Sequence, residues 1–249
     1  MADAGLIAAA VLAFVLGATL KGVTGLGLPP VALPILTPLV GVEHAVAVLA
    51  LPTVAGNVWL TWSNRHARRE IPLLGLLAGG AAAGGIVGAL VLTTADERWL
   101  AVALVVLVVA MVITRLRRPH WHLGGRAARL GAAPVGIVGG TLQGATGLSA
   151  ALFGSWINAL GVTRDGFVLA TSLVLQLAAL TQSVTLLGVG ALSGDRLWQS
   201  LLGCAIVLAL LPVGQRIGRL LPHAWFDRLV LIVLLGSVTV LSVEAFGGW

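Results

Sequence analysis

Charge, thiols and phenols are what this sequence lacks. Among its 249 residues only 10% are charged, one is cysteine, and none is tyrosine. A soluble globular chain carries about a quarter charged residues. Nine acidic and fifteen basic side chains cannot provide the polar skin that a protein this long would need in water. The shortage excludes a soluble enzyme, a secreted disulfide scaffold and a disordered chain. A lone thiol allows no intramolecular disulfide and no thiolate metal cluster. That thiol, Cys204, sits in an apolar run and reads as a small packing residue. No nucleophile–base pair, nucleotide loop or spaced set of metal ligands is present, so neither catalysis nor a cofactor or metal is expected.

What is present is apolar. Hydrophobic residues make up 58% of the chain, and the mean hydropathy is +1.04. The reading is a polytopic membrane protein with the lipid bilayer as its outer solvent. The net charge of +6 does not point to nucleic acid, because the basic residues fall in short loops between apolar runs, as orientation determinants do. The first run lacks a basic leader and carries Asp3 instead, so it is expected to be retained.

Apolar runs lie at about 5–20, 26–40, 44–62, 71–93, 97–114, 128–143, 148–160, 166–188, 197–214 and 229–246. A spanning helix needs about 20 residues. The runs at 26–40 and 148–160 are too short, and the first carries Pro29, Pro30, Pro34 and Pro38, which predicts a kinked or broken segment. Long continuous runs without alternation argue against a β-barrel.

The chain repeats itself. Lys21-Gly-Val-Thr-Gly-Leu-Gly27 matches Gln143-Gly-Ala-Thr-Gly-Leu-Ser149 at an offset of 122, and Thr53 and Asn57 correspond to Ser172 and Gln176. Two halves follow, about 1–117 and 126–249, joined by a basic linker and forming one domain. Arg65, Arg68, Arg69, the arginines of the linker, Arg164, Arg216, Arg219 and Arg228 mark the cytoplasmic side, whereas Arg98 and Arg196 fall outside. The two halves then have opposite orientation. The expected fold is an all-α integral membrane bundle with an inverted repeat. It has six full spans plus two broken or re-entrant hairpins, eight to ten membrane segments in all. Both termini are expected outside a bacterial cytoplasmic membrane.

The repeated segments occupy the two hairpin bends. Gly22, Gly25 and Gly27, and Gly144 and Gly147, let the backbone turn tightly and approach a ligand. Thr24 and Thr146 add hydroxyls, and helix ends favour an anion. Two bends meeting at mid-depth would frame one pocket. Lys21, the only lysine in the chain, is costly at membrane depth by roughly 2.5–3.5 kcal/mol. It is read as the partner of a small anionic substrate, with Gln143 as its uncharged counterpart. Thr53 with Asn57, and Ser172 with Gln176, each lie one turn apart on a helix face and either line the path or join helices. Thr171, Thr181 and Gln182 extend that face.

Other features read as structure. Gly75, Gly79, Gly80, Gly84 and Gly88, with Gly214 and Gly218, form small-residue ridges for close packing or for a homodimer contact. Trp59, Trp62, Trp99, Trp198 and Trp225 form an interfacial belt, and Trp156 is a core residue. Glu43 and His44 open a helix near the outer surface, with proton coupling as the alternative role. His120 and His122 sit in the linker.

The paired segments Gly17-Ala-Thr-Leu-Lys-Gly-Val-Thr-Gly-Leu-Gly27 and Gly140-Thr-Leu-Gln-Gly-Ala-Thr-Gly-Leu-Ser149 resemble those of the sulfite exporter TauE/SafE family of small bacterial permeases. The resemblance covers nearly the whole chain. It implies transport of small sulfur-containing anions such as sulfite, thiosulfate or organosulfonates. The residues by themselves give a small anion and a site within the membrane. They leave open a secondary carrier, an anion channel and a non-transporting scaffold subunit.

Overall fold

Lipid offers no partner for backbone N–H and C=O groups, so a chain this apolar must satisfy them internally, and continuous helix is the simplest way. The computed structural model describes residues 4–25, 28–70, 73–117 and 123–220, and nine α-helices account for most of them. They are α1 (Ala4–Thr24), α2 (Leu28–Val40), α3 (Val42–Ser63), α4 (Leu74–Thr94), α5 (Glu97–Arg117), α6 (Gly125–Thr146), α7 (Ala150–Asn158), α8 (Arg164–Gly188) and α9 (Gly194–Leu220). A short 3-10 turn, Arg65–Glu70, follows α3. The run at 229–246, Trp225, Arg228, His120 and His122 lie outside the described residues.

Helices α3, α4, α8 and α9 are long and apolar enough to cross a membrane, and α5 is 21 residues long. The short runs form the return arms of two hairpins, α1–α2 and α6–α7, with α2 of 13 residues and α7 of 9. The prolines do not break α2. Pro29 and Pro30 occupy its first turn, where no intrahelical donor is needed. Pro34 and Pro38 fall one turn apart, so their missing N–H groups lie on one face of an otherwise continuous helix.

Side-chain bonds tie the loops into two opposite ends. At one end, Glu43 at the start of α3 pairs with Arg196 at the start of α9, 2.7 Å. His44 Nε2 meets Gln199 Oε1 there at 2.7 Å. The Glu97 carboxylate accepts from the Val42 amide at 2.8 Å, where the helix dipole favours a negative charge. At the other end, His66 pairs with Asp165 at the start of α8, 2.9 Å. Trp59 Nε1 donates to Gln215, and Arg65 stacks over Trp62. The first hairpin closes its base at the Glu43 end, where Gly41 lies against Glu97. The second closes at the His66 end, where the Leu123 amide donates to the Ala159 carbonyl just before α8 begins. The hairpins therefore enter the bundle from opposite ends.

Packing exchanges helices between the halves of the chain: α1 lies on α9, α6 on α4, and α3 contacts both α8 and α9. Apolar helices gain no hydrophobic energy by leaving lipid for one another, so close backbone approach has to supply van der Waals contact. Gly80, Gly84 and Gly88 of α4 interlock with Gly136, Gly140 and Gly144 of α6. A Cβ at Gly80 would sit 2.6 Å from the Ala133 carbonyl oxygen. Gly214 and Gly218 pack in the same way on α1. These ridges are used inside the chain, in the close-packing role that is one of the two expected for them. Gly75 and Gly79 alone among the predicted ridge residues face open space.

The outward faces are apolar, including Ile86, Val87 and Leu90 on α4, Val184 on α8 and Leu202 on α9. Trp62, Trp99 and Trp198 project at helix ends, as a chain lying in a bilayer requires. Trp156 packs against the buried cluster around Phe153 and Ile157.

Candidate functional site

Each hairpin bends at a glycine in the left-handed region, Gly25 at φ 76° and Gly147 at φ 72°. Each bend is closed by an amide bonding back to the residue four earlier: Gly25 to the Lys21 carbonyl and Gly147 to the Gln143 carbonyl, both 2.8 Å. The repeated motif thus makes the same turn twice.

The second bend packs against the start of α2, which follows the first bend. α1 and α6 are 21 and 22 residues long, about 32 Å at 1.5 Å per residue, enough to cross most of a bilayer core. Each therefore passes mid-depth, α1 packed mainly on α9 and α2, and α6 mainly on α4 and α8. Gly25 reaches Val168 in the second turn of α8, while Gly147 lies against Pro29 and Leu33 of α2. Lys21 is consequently nearer the His66 end and Gln143 nearer the Glu43 end, while a crevice lined by Pro29, Thr53, Gln143 and Gly147 joins residues of both hairpins.

Lys21 is buried, with 1% of its surface exposed. Its ammonium donates to Asn57 Oδ1 on α3 at 2.6 Å, and its aliphatic stem lies against Gly56. The ion pairs among the described residues are Glu43–Arg196 and His66–Asp165, and Lys21 belongs to neither. An ammonium in a low-dielectric interior without a countercharge is expensive. Because lysine can only donate, the contact fixes the Asn57 amide with its oxygen toward Lys21 and its nitrogen away. That Nδ2 is buried and has no partner. Thr53 Oγ1, Ser172 Oγ and Gln176 Oε1 are also buried without partners. Thr53 and Asn57 are one turn apart on α3, Ser172 and Gln176 one turn apart on α8, and α3 packs on α8. Buried polar groups are normally satisfied; Thr37, Thr61 and Ser200 also carry unpartnered hydroxyls, and the two pairs on the packed helices α3 and α8 make the candidate polar region.

The second hairpin uses its polar side chains on itself. Ser149 Oγ donates to Gln143 Oε1 at 2.8 Å. Thr146 Oγ1 donates to the Leu142 carbonyl at 2.7 Å and accepts from the Leu148 amide at 3.2 Å. Gly22 and Gly144 serve packing: a Cβ on either would lie 2.5 Å from a carbonyl oxygen, of Leu211 and Gly85 respectively. Gly27 and the side chain of Thr24 lie outside the described residues.

Gln143 and Gly147 line a crevice with Thr53, Gln182, Pro29, Leu33, Val46, Leu49 and Ala50. It holds about 170 Å³ between atoms, with no space wide enough for a water molecule. Thr53 links the two regions, since it faces the crevice and lies one turn from Asn57. Gln182 is the residue that the sequence pattern under-weighted. Its Nε2 donates to the Gly144 carbonyl at 2.9 Å, satisfying a group at the end of α6 that has no intrahelical donor. A buried glutamine opposite a helix C-terminus is a signal in principle, but it needs the tertiary pairing of α8 with α6 to be seen.

The family described as sulfite exporter TauE/SafE matches residues 9–241. No curated protein and no solved structure matches the chain.

Proposed function

The chain belongs to the sulfite exporter TauE/SafE family, and from that premise we propose that it is an alternating-access carrier of small sulfur oxyanions in which Lys21 is the cationic partner of the cargo. The observation that carries this reading is the buried Lys21 ammonium, held by Asn57 and in no ion pair among the described residues, together with the unsatisfied atoms of Thr53, Ser172 and Gln176 on the packed helices α3 and α8. An anion entering there gains a countercharge and hydrogen-bond donors that it would otherwise lose with its hydration shell.

The repeated motif, the hairpins entering from opposite ends and the exchange of helices between halves support an inverted repeat, about 1–117 and 126–249. Rocking of such halves exposes a shared site to each side in turn. The His66 end, with Arg65 and the other loop arginines, is the cytoplasmic end on this reading, in a bacterial inner membrane with both termini outside. The test is sulfite flux in proteoliposomes. Lys21→Ala should abolish flux while leaving the protein folded; undiminished flux would remove Lys21 from the site.

A further inference from the structure

Charge counting at the site narrows the cargo. Lys21 is the only charged side chain that is buried among the described residues. The other buried polar side chains among the described residues are neutral hydroxyls and amides. The pairs Glu43–Arg196 and His66–Asp165 are partly exposed at the two ends of the bundle.

We propose that the site formed by Lys21, Asn57, Thr53, Ser172 and Gln176 selects singly charged oxyanions, namely a sulfonate headgroup or hydrogen sulfite, over the dianions sulfate, thiosulfate and sulfite. The inference rests on the reading of Lys21 as the partner of the anion.

The argument is electrostatic. One ammonium and one monoanion form a neutral pair, and the loaded site can face a low-dielectric interior without net charge. A dianion leaves one negative charge uncompensated, and the self-energy of a buried charge grows steeply as it leaves water. Neutral donors soften this cost but do not remove it. The donor geometry suits a compact headgroup with several oxygens. Two ammonium hydrogens remain after the bond to Asn57, and the Asn57 amide nitrogen is free. The hydroxyls of Thr53 and Ser172 have no partners either. Gln176 Oε1, an acceptor without a donor, fits cargo that carries its own O–H, as hydrogen sulfite does.

The test compares two probes of fixed charge on the full chain purified in detergent. Methanesulfonate is a monoanion and sulfate a dianion at neutral and alkaline pH. Thermal shift and calorimetry should show methanesulfonate binding at least about ten-fold more tightly than sulfate. Lys21→Arg should keep that ranking and Lys21→Gln should lose both ligands. Sulfate binding as tightly as methanesulfonate, with both lost in Lys21→Gln, would overturn the charge selection while sparing the role of Lys21. Affinities unchanged in Lys21→Gln, or a wild-type protein that takes neither probe, would overturn both readings. The folded state of Lys21→Gln is checked by its size-exclusion profile against that of Lys21→Arg.

Discussion

The two hairpins make the same turn and do different chemistry with it. Both bend at a left-handed glycine whose amide bonds four residues back, and both press a glycine onto a helix from the other half of the chain. At the residue that starts each motif they diverge. Lys21 reaches across to Asn57 on α3, whereas Gln143 bonds to Ser149 within its own hairpin. One bend sends a charge to another helix; the other keeps its side-chain bond within its own hairpin. A repeated fold can thus keep a shared scaffold while concentrating recognition in one copy.

The scaffold is the shared part, and changes to it carry the largest expected effect. Gly22→Leu and Gly144→Leu each drive a side chain into the backbone of a neighbouring helix, with overpacking costs of about 3 kcal/mol or more. Both should deplete folded protein in fluorescence-detected size exclusion. Tolerance of one and not the other would break the equivalence of the two packings.

Asn57→Ala comes next. It strips the buried ammonium of its acceptor, and a hydrogen bond to a charged group contributes about 1.5–3 kcal/mol. A fall in Tm together with weakened anion binding is expected. An unchanged Tm would mean that Asn57 does not hold Lys21.

Ser149→Ala sharpens the contrast from the other side. It removes one neutral bond, about 1 kcal/mol, and should lower Tm slightly without altering affinity for sulfite. A loss of affinity as large as that of Asn57→Ala would make the second bend part of the site.

The smallest effects belong to the end pairs. Glu43→Gln and Asp165→Asn each break a partly exposed ion pair, worth at most about 1 kcal/mol after solvent screening. Thermal melts should barely move, and a large drop in Tm would show that these pairs contribute more than exposed ones do.

Much of this was legible in the residues. Run lengths gave the helices, and the match of Lys21–Gly27 with Gln143–Ser149 gave the two bends. Arginine placement gave ends that agree with the pairing of Glu43 with Arg196 and of Asp165 with His66. The prolines of α2 suggest a kinked or broken segment; the helix is unbroken, because proline costs a helix little in its first turn and the two later prolines, one turn apart, lose their bonds on a single face. The depth of the bends was hidden, since motif spacing does not say how far a hairpin enters. The fate of the ridges was hidden as well: α4 presents Gly80, Gly84 and Gly88 whether its partner is α6 or a second copy. At the site, Lys21 stood out by its cost, but its hold on Asn57 joins residues 36 apart and exists only once α1 packs near α3.

The most direct measurement of the central claim is equilibrium binding of sulfite to Lys21→Gln and to Gln143→Ala, side by side with wild type. Lys21→Gln gives the first bend the side chain of the second. The account predicts that saturable binding disappears in Lys21→Gln and stays within a few-fold of wild type in Gln143→Ala. The reverse order, with Gln143→Ala losing sulfite and Lys21→Gln keeping it, would contradict the account.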